Sequence, residues 1–499
     1  MEAEHYDVVV VGCGNAALAA AAAADENGAR VLIIEQAPLA HRGGNSRLTG
    51  AAEFRFPYNE PQDVKLLLWE WPLRDGQTAE IPPYTQDDFY GDMMRVTLGR
   101  ADPKLIELLV NESYPVVKWM AGLGIQFELF FSHHVVRTGD HFRWPHGTCV
   151  IHAKGGGEGL IASWLAAIEK KRIEVRYETR AVSLLRAAKC GVKGVIVEGP
   201  QGLYEIQSRG VVLACGGFEA SPEMRARYLG VGTDLAKVRG TRYNTGHGLH
   251  MALEQGAKAY GHWSGFHCSP IDAGAPDVEA QLMGADRKPS YTLRYSYPLG
   301  IMVNTKAERF LDEAEDFSTY TYAKTGASIV QQPGGTAYQI FDSKVKPYLA
   351  DTYELAVPTV AGSIEELAEM LDLRVEALLK TVREFNEAVM VEVPLDRSIR
   401  DGKGTRNISP PKSNWAQTID APPYYAYAVT GGVTFTYAGL KIDGNGRVLD
   451  LHERPIPGLY AAGELTGGFF YFNYPGGTGL VRGAVTGCLA GRAAATIEP

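Results

Sequence analysis

Gly12, Gly14 and Ala17 follow a β-branched run, and an acid, Glu35, stands 23 residues after Gly12. That pattern suits the binding of a dinucleotide. Gly12 permits a tight turn, Gly14 lets a pyrophosphate approach the backbone, and Ala17 lets a helix lie close to the strand before it. Asn15, Ala16 and Ala17 open that helix, so its N-terminal dipole faces the phosphates. Glu35, followed by Gln36, ends a second strand where a carboxylate can accept ribose hydroxyls; an acid there suits FAD or NAD and disfavours NADP.

More glycine turns follow. Arg42-Gly43-Gly44-Asn45-Ser46 frees backbone N–H groups and adds side-chain hydrogen bonds. Gly155-Gly156-Gly157-Glu158-Gly159 opens a helix over 160–169. A strand at 211–213 runs into Ala214-Cys215-Gly216-Gly217, and one at 458–462 runs into Gly463-Glu464. As an ordered set over almost the whole chain, these segments resemble the fumarate reductase/succinate dehydrogenase flavoprotein superfamily. The resemblance implies an FAD held by Arg42 to Ser46, Gly156, Gly157, Ala214, Cys215, Gly216, Gly463, Gly479 and Leu480. It puts Val182 on the adenine side and Glu464 on the ribityl side. Asn45 stands where the family can carry a histidine bonded to the flavin, which implies noncovalent FAD.

Such a cofactor implies a chemistry. Desaturation of a CH–CH bond sends hydride from the β-carbon to flavin N5 while a base removes the α-proton, helped by an adjacent carbonyl. His267 matches the family's substrate-binding histidine. Phe317 stands where the family's proton-donating arginine belongs, and the stretch 434–439 lacks its second histidine, so fumarate reduction by the usual relay is not expected. Stretches 317–324, 433–440 and 467–477 resemble a tricarballylate dehydrogenase-like branch. Tyr474-Pro475-Gly476-Gly477 also resembles the longer Tyr-Pro-Gly…Gly motif of 3-ketosteroid Δ1-dehydrogenases, in which a tyrosine hydroxyl and a glycine N–H polarise a ketone. The resemblance makes Tyr474 and Gly477 candidate carbonyl-polarising groups.

Tyr320 and Tyr322 are candidate bases, as are Tyr295 and Tyr297 beside Arg294. A phenol titrates near 10 and needs about 1.4 kcal/mol of interaction per unit of depression, so a cation must stand close. Arg294 and Arg482 are the candidate forks for a substrate carboxylate.

The elements that must position these residues are legible as patterns. A strand at 6–11, a helix at 15–27 and a strand at 31–34 begin an α/β, Rossmann-like FAD-binding domain over 1–254 and 423–499. The remaining stretch, 255–422, reads as an inserted α+β substrate-capping domain, entered through Asn244-Thr245-Gly246-His247-Gly248. A cap on a hinge excludes water from the reaction. Within it, 363–391 has helical spacing with a Ser363/Glu366 capping box, and 403–412 is a polar, Pro-containing loop.

Composition bounds the rest. A chain of 499 residues exceeds one hydrophobic core, and 45% hydrophobic with 21% charged residues is ordinary for a soluble protein. The net charge of -9 argues against a nucleic-acid partner. The six cysteines, spread singly, read as buried thiols rather than zinc ligands, and His133, His134, His141 and His146 match no metal motif. No signal peptide or apolar run of membrane length is visible, so the expected address is cytoplasmic. No haem or iron–sulfur motif is visible, so electrons would leave to a separate acceptor: a membrane-bound carrier protein, a quinone or oxygen. The expected function is FAD-dependent dehydrogenation of a small-molecule carboxylate or ketone, with tricarballylate-like acids favoured. The alternatives are Δ1-type desaturation of a cyclic ketone or keto acid, enoate reduction, and a flavin electron carrier without turnover of its own.

Overall fold

The computed structural model describes residues 4–187, 191–282 and 291–497. Cys190 lies outside them; the other five cysteines are free thiols. In chain order the elements that matter are β1 (Glu4–Val11), α1 (Asn15–Glu26), β2 (Val31–Ile34), α2 (Gly44–Arg47), α3 (Gly156–Lys170), β3 (Glu174–Arg176), β4 (Arg180–Arg186), β5 (Val192–Gly199) and β6 (Gly202–Leu213). Then come β7 (Lys237–Val238), α4 (His247–Glu254), β8 (Ala259–Asp272), β9 (Ile301–Asn304), α5 (Ser318–Val330), β10 (Thr336–Phe341) and β11 (Thr359–Ala361). The chain finishes with α6 (Ile364–Met370), α7 (Val375–Ala388), β12 (Tyr424–Leu440), β13 (Arg447–Leu449), β14 (Pro455–Ala461) and α8 (Thr478–Ala495).

The first sheet has the order β4-β5-β6-β1-β2-β3, with β14 alongside the end of β6 and β13 on β14. The β1–β6, β1–β2, β2–β3 and β6–β14 pairings are parallel. Val8, Val9 and Val10 are fully buried, as a parallel strand covered on both faces requires. Helix α1 is alanine-rich because α8 lies almost against its backbone. A Cβ on Gly487 would fall 2.3 Å from Ala16 O, and one on Gly491 would fall 2.1 Å from Ala20 O. Glycines four apart share one helix face, so the two helices close by removing side chains from their seam.

The second sheet runs β7-β12-β10-β9, with β8 and β11 also paired to β12. Its centre, β12, follows the boundary at residue 423 that the sequence suggested, so strands from both sides of that boundary share one sheet. The helical stretch expected over 363–391 is two helices, α6 and α7, parted where Asp372 takes a left-handed φ of 55°. Ser363 caps the first by accepting the Glu366 N–H at 3.1 Å. Helix α3 starts at Gly156, earlier than its spacing suggested. Among the described residues no helix is long and apolar enough to cross a membrane.

The stretch from β9 to Glu313 is held by a buried ion pair. Arg309 donates Nε and Nη2 to the two oxygens of Glu313 at 2.9 and 2.6 Å, and Glu313 also accepts the Met302 N–H at 2.9 Å. Glu313 is fully buried. Removing one partner strands the other charge, so Glu313→Ala is expected to cost about 3–5 kcal/mol, read as a lowered denaturant midpoint. A loss under about 1 kcal/mol would mean that the pair does not hold this stretch.

Candidate active site

Parallel strands end their backbone hydrogen bonding together, which opens a crevice beyond their carboxyl ends. A slot lies beyond β1, β2 and β6, lined by Gly12, Gly14, Asn15, Ala16, Glu35, Gln36, Ala214, Cys215 and Gly216. A wider cavity of about 470 Å³ lies under the second sheet. Both are lined by Asn15, Ala16, Asn45, Ser46 and Glu464, so they form one elongated channel. Gly463, Gly479 and Leu480 line its wide end, and Gly44 its narrow end.

The channel's chemistry fits a dinucleotide. Glu35 is 6% exposed and accepts the Ala37 N–H at 2.8 Å, and no cation pairs with it among the described residues. Burial pushes its carboxyl up. A buried acceptor of this kind at the slot wall is suited to sugar hydroxyls. Ser46 Oγ accepts the Asn15 N–H at 3.1 Å, tying the second glycine turn to the start of α1. Asn45 donates to Glu219 at 2.7 Å and to Thr434 O at 2.8 Å, and accepts the Thr241 N–H at 2.8 Å.

Several residues named from sequence lie behind these walls. Ala17 is fully buried within α1. A Cβ on Gly43 would meet Ile161 of α3 at 2.9 Å, and one on Gly157 would meet Ser46 O at 2.3 Å. Gly156 likewise backs Gly50. These three glycines bring α3 against the turn that lines the channel. Arg42 turns away and donates to Leu39 O at 2.6 Å. Arg180 and Ala181, just before Val182, are the residues of β4 that reach the slot.

The wide cavity gathers distant residues. Tyr322, Tyr474, Gly477, His267 and Arg482 all line it, with Tyr295. The Tyr474 hydroxyl accepts the Gly479 N–H at 2.9 Å, and the Tyr295 hydroxyl lies 2.8 Å from Ser269 Oγ. Gly477, at φ 79°, caps α8. The His267 ring stacks on Phe435, with centroids 4.7 Å apart, and stands edge-on to Tyr322 and Tyr474 at 4.9 Å each. Burial, then Arg239, holds its imidazole well below the usual range, so it is neutral near pH 7. Burial raises all three phenols, Tyr295 to about 12. Arg239 opposes the rise at Tyr295 and Tyr322, and the Gly479 N–H opposes it at Tyr474. Burial lowers Arg482 to about 10.

Three predicted residues sit elsewhere. Tyr320 places its hydroxyl 2.6 Å from Asp92 and accepts Arg55 Nη1 at 3.0 Å, so its phenol is part of the scaffold beneath the cavity. Arg294 spends its fork on the carbonyls of Tyr291, Leu293 and Thr352 and on Asp272 at 2.7 Å. Tyr297 is bonded to Thr321 at 2.7 Å. Helical and strand period explain the split: neighbours along α5 face opposite ways, so Tyr322 enters the cavity and Tyr320 cannot.

The structure also brings in Glu53, Arg239, His133 and His134, which sequence reasoning missed or set aside. Glu53 is a lone acid in an apolar stretch, and its carboxyl is pushed up, mostly by burial. His133 and His134 each lie 3.1 Å from Ser318 Oγ at the start of α5. A lone acid between Ala52 and Phe54 was the one available signal.

A family model described as an FAD binding domain matches residues 7–480. A probable fumarate reductase of Shewanella frigidimarina is 29% identical over 497 residues, 99% of this chain and 75% of the relative. A 3-oxosteroid 1-dehydrogenase of Mycobacterium tuberculosis is 25% identical, over 97% of each chain. A solved flavocytochrome c3 fumarate reductase in its open conformation superimposes with a TM-score of 0.71 at 27% identity, covering 99% of this chain and 78% of that one.

Proposed function

We infer the reaction from one premise: the chain belongs to the FAD binding domain family, and it is an FAD-dependent oxidoreductase acting on CH–CH groups. It works as a dehydrogenase that desaturates a CH–CH bond beside a carboxylate or ketone, with tricarballylate-like acids as the leading substrates. One observation carries this reading. The wide cavity holds a phenol without a hydrogen-bond partner among the described residues, Tyr322, facing a phenol whose oxygen is already supplied with a donor, Tyr474.

Glu35, the first glycine turn, Ser46, Cys215 and Glu464 would hold FAD, which when bound supplies the hydride acceptor. The chain supplies the rest. Tyr474 accepts from Gly479, which leaves its own proton free to point at a carbonyl oxygen. The N-terminus of α8 adds a positive dipole where enolate charge develops. Tyr322 takes the α-proton, and Arg239 is the nearby cation that favours its deprotonated form. The aromatic wall of Tyr295, Phe435 and His267 excludes water. Phe317 packs on Trp415 at 5.1 Å, so the position of the family's proton-donating arginine offers no proton, which favours dehydrogenation over enoate reduction. Electrons then pass to a separate acceptor.

A cyclic ketone is the second reading, favoured by the alignment with a 3-oxosteroid 1-dehydrogenase over nearly the full length of both chains. The test is anaerobic mixing of the yellow holoenzyme with tricarboxylates, dicarboxylates and cyclic ketones. Bleaching at 450 nm by an acid is the expected result. If no carbon acid or ketone bleaches it while a partner protein does, the enzyme reading fails and an electron carrier remains.

A further inference from the structure

The wide cavity contains a positive charge that no acid in the described protein answers. Arg239 follows β7, and its backbone N–H donates to Val433 O at 2.7 Å, so the central strand β12 fixes its position. It is only 8% exposed and lines the cavity. Among the described residues its one polar side-chain contact is a 3.5 Å approach of Nη1 to Thr434 Oγ1, and Nε is buried with no partner there. No described carboxylate oxygen comes within the 4.0 Å of an ion pair.

Three other buried arginines are answered. Arg294 and Arg309 have carboxylates at 2.7 and 2.6 Å, and Arg225 is wrapped by backbone carbonyls. Arg482, the cavity's second arginine, also has a buried Nε with no partner, but its guanidinium lies over the rings of Phe435, Phe469 and Phe470. Glu53 shares the cavity with Arg239 but makes no ion pair with it; burial pushes its carboxyl up, and Arg55 and Arg239 oppose the rise. A buried guanidinium without a counter-charge destabilises a fold. Its five N–H donors form a fork that matches a carboxylate in shape and charge.

We propose that Arg239 is the anion-binding residue of the substrate cavity, and that its guanidinium receives a carboxylate of the substrate. This rests on the dehydrogenase reading only for which carbon then reacts; the anion site stands on geometry. It makes the cavity select carboxylic acids over ketones of similar shape, because a neutral ligand would leave the fork unpaired.

The test uses oxidised, FAD-loaded enzyme and reads binding rather than turnover. Tricarballylate and succinate are titrated against the corresponding amides, following the flavin absorbance and the melting temperature. Wild type is expected to bind the acids and not the amides. Arg239→Met is expected to weaken acid binding at least 100-fold, and Arg239→Lys less, because an ammonium keeps the charge and loses the fork. Without ligand, Arg239→Met should melt no lower than wild type, since it removes an unpaired buried charge; a merely structural arginine would make it melt lower. Acid affinity within threefold of wild type in Arg239→Met, amides bound as tightly as acids, or neither acid bound by wild type would each overturn the proposal. Acids bound through Arg239 that never bleach the flavin would leave the anion site standing and remove the dehydrogenase reading.

Discussion

Tyr322→Phe is expected to slow anaerobic flavin reduction by a carbon-acid substrate about 10²–10⁴-fold, the usual contribution of a positioned base, while FAD stays bound. Of the three phenols in the cavity, Tyr295 is engaged with Ser269 and Tyr474 with Gly479. Tyr322 has no hydrogen-bond partner among the described residues. Its proton transfer carries a pH signature. Burial holds the phenol well above 10, and only its deprotonated form is a base. The rate should therefore rise about tenfold per pH unit through the neutral and mildly alkaline range, with no plateau below about pH 9. Stopped-flow reduction of Tyr322→Phe beside Glu53→Gln decides the assignment. A flat profile above pH 7, with Glu53→Gln as the slow variant, would move the base to Glu53.

Gly12→Ala is the second large effect: purified protein without FAD and with a lower melting temperature. Gly12 has a φ of 112°, and an added Cβ would stand 2.5 Å from Ala214 O. The obstacle is backbone on a neighbouring strand's exit, which cannot swing aside as a side chain could. Backbone strain of about 1–3 kcal/mol and overpacking of about 1–3 kcal/mol act together at the turn that shapes the slot. The ratio of absorbance at 450 and 280 nm, with a thermal melt, reads both. Full FAD occupancy in Gly12→Ala would mean that this turn does not set the slot.

Much of the nucleotide end was legible because its causes are local. A strand, a turn and a helix within 36 residues specify their own geometry, and Gly12, Gly14 and Glu35 take their roles from that short segment. The later turns were readable as turns but not as walls. Gly43 and Gly156 take the left-handed φ that glycine permits and Gly157 allows a close backbone approach, yet all three seat α3 against the loop rather than meet the slot. Nothing in a glycine run says which of its sides a helix will cover.

The substrate end was legible only in its residue types. With 25 tyrosines in the chain, the sequence could nominate Tyr320 and Tyr322 together but not separate them; the facing of α5 does that. It could name Arg294 as a carboxylate fork, but not foresee that three carbonyls and Asp272 occupy it. It gave no reason to choose Arg239, whose meaning lies wholly in the absence of an acid beside it.

By itself, then, the amino-acid order determined an α/β flavoprotein and the turn that starts its cofactor slot, because those features follow from contacts a few residues apart. Tertiary structure alone decided which charged and phenolic groups meet. Glu53, Arg239, His267, Tyr322 and Tyr474 come from segments separated by as much as most of the chain. Their meeting depends on how β8 and β12 pair and which face α5 presents, and those are properties of packing rather than of any local stretch.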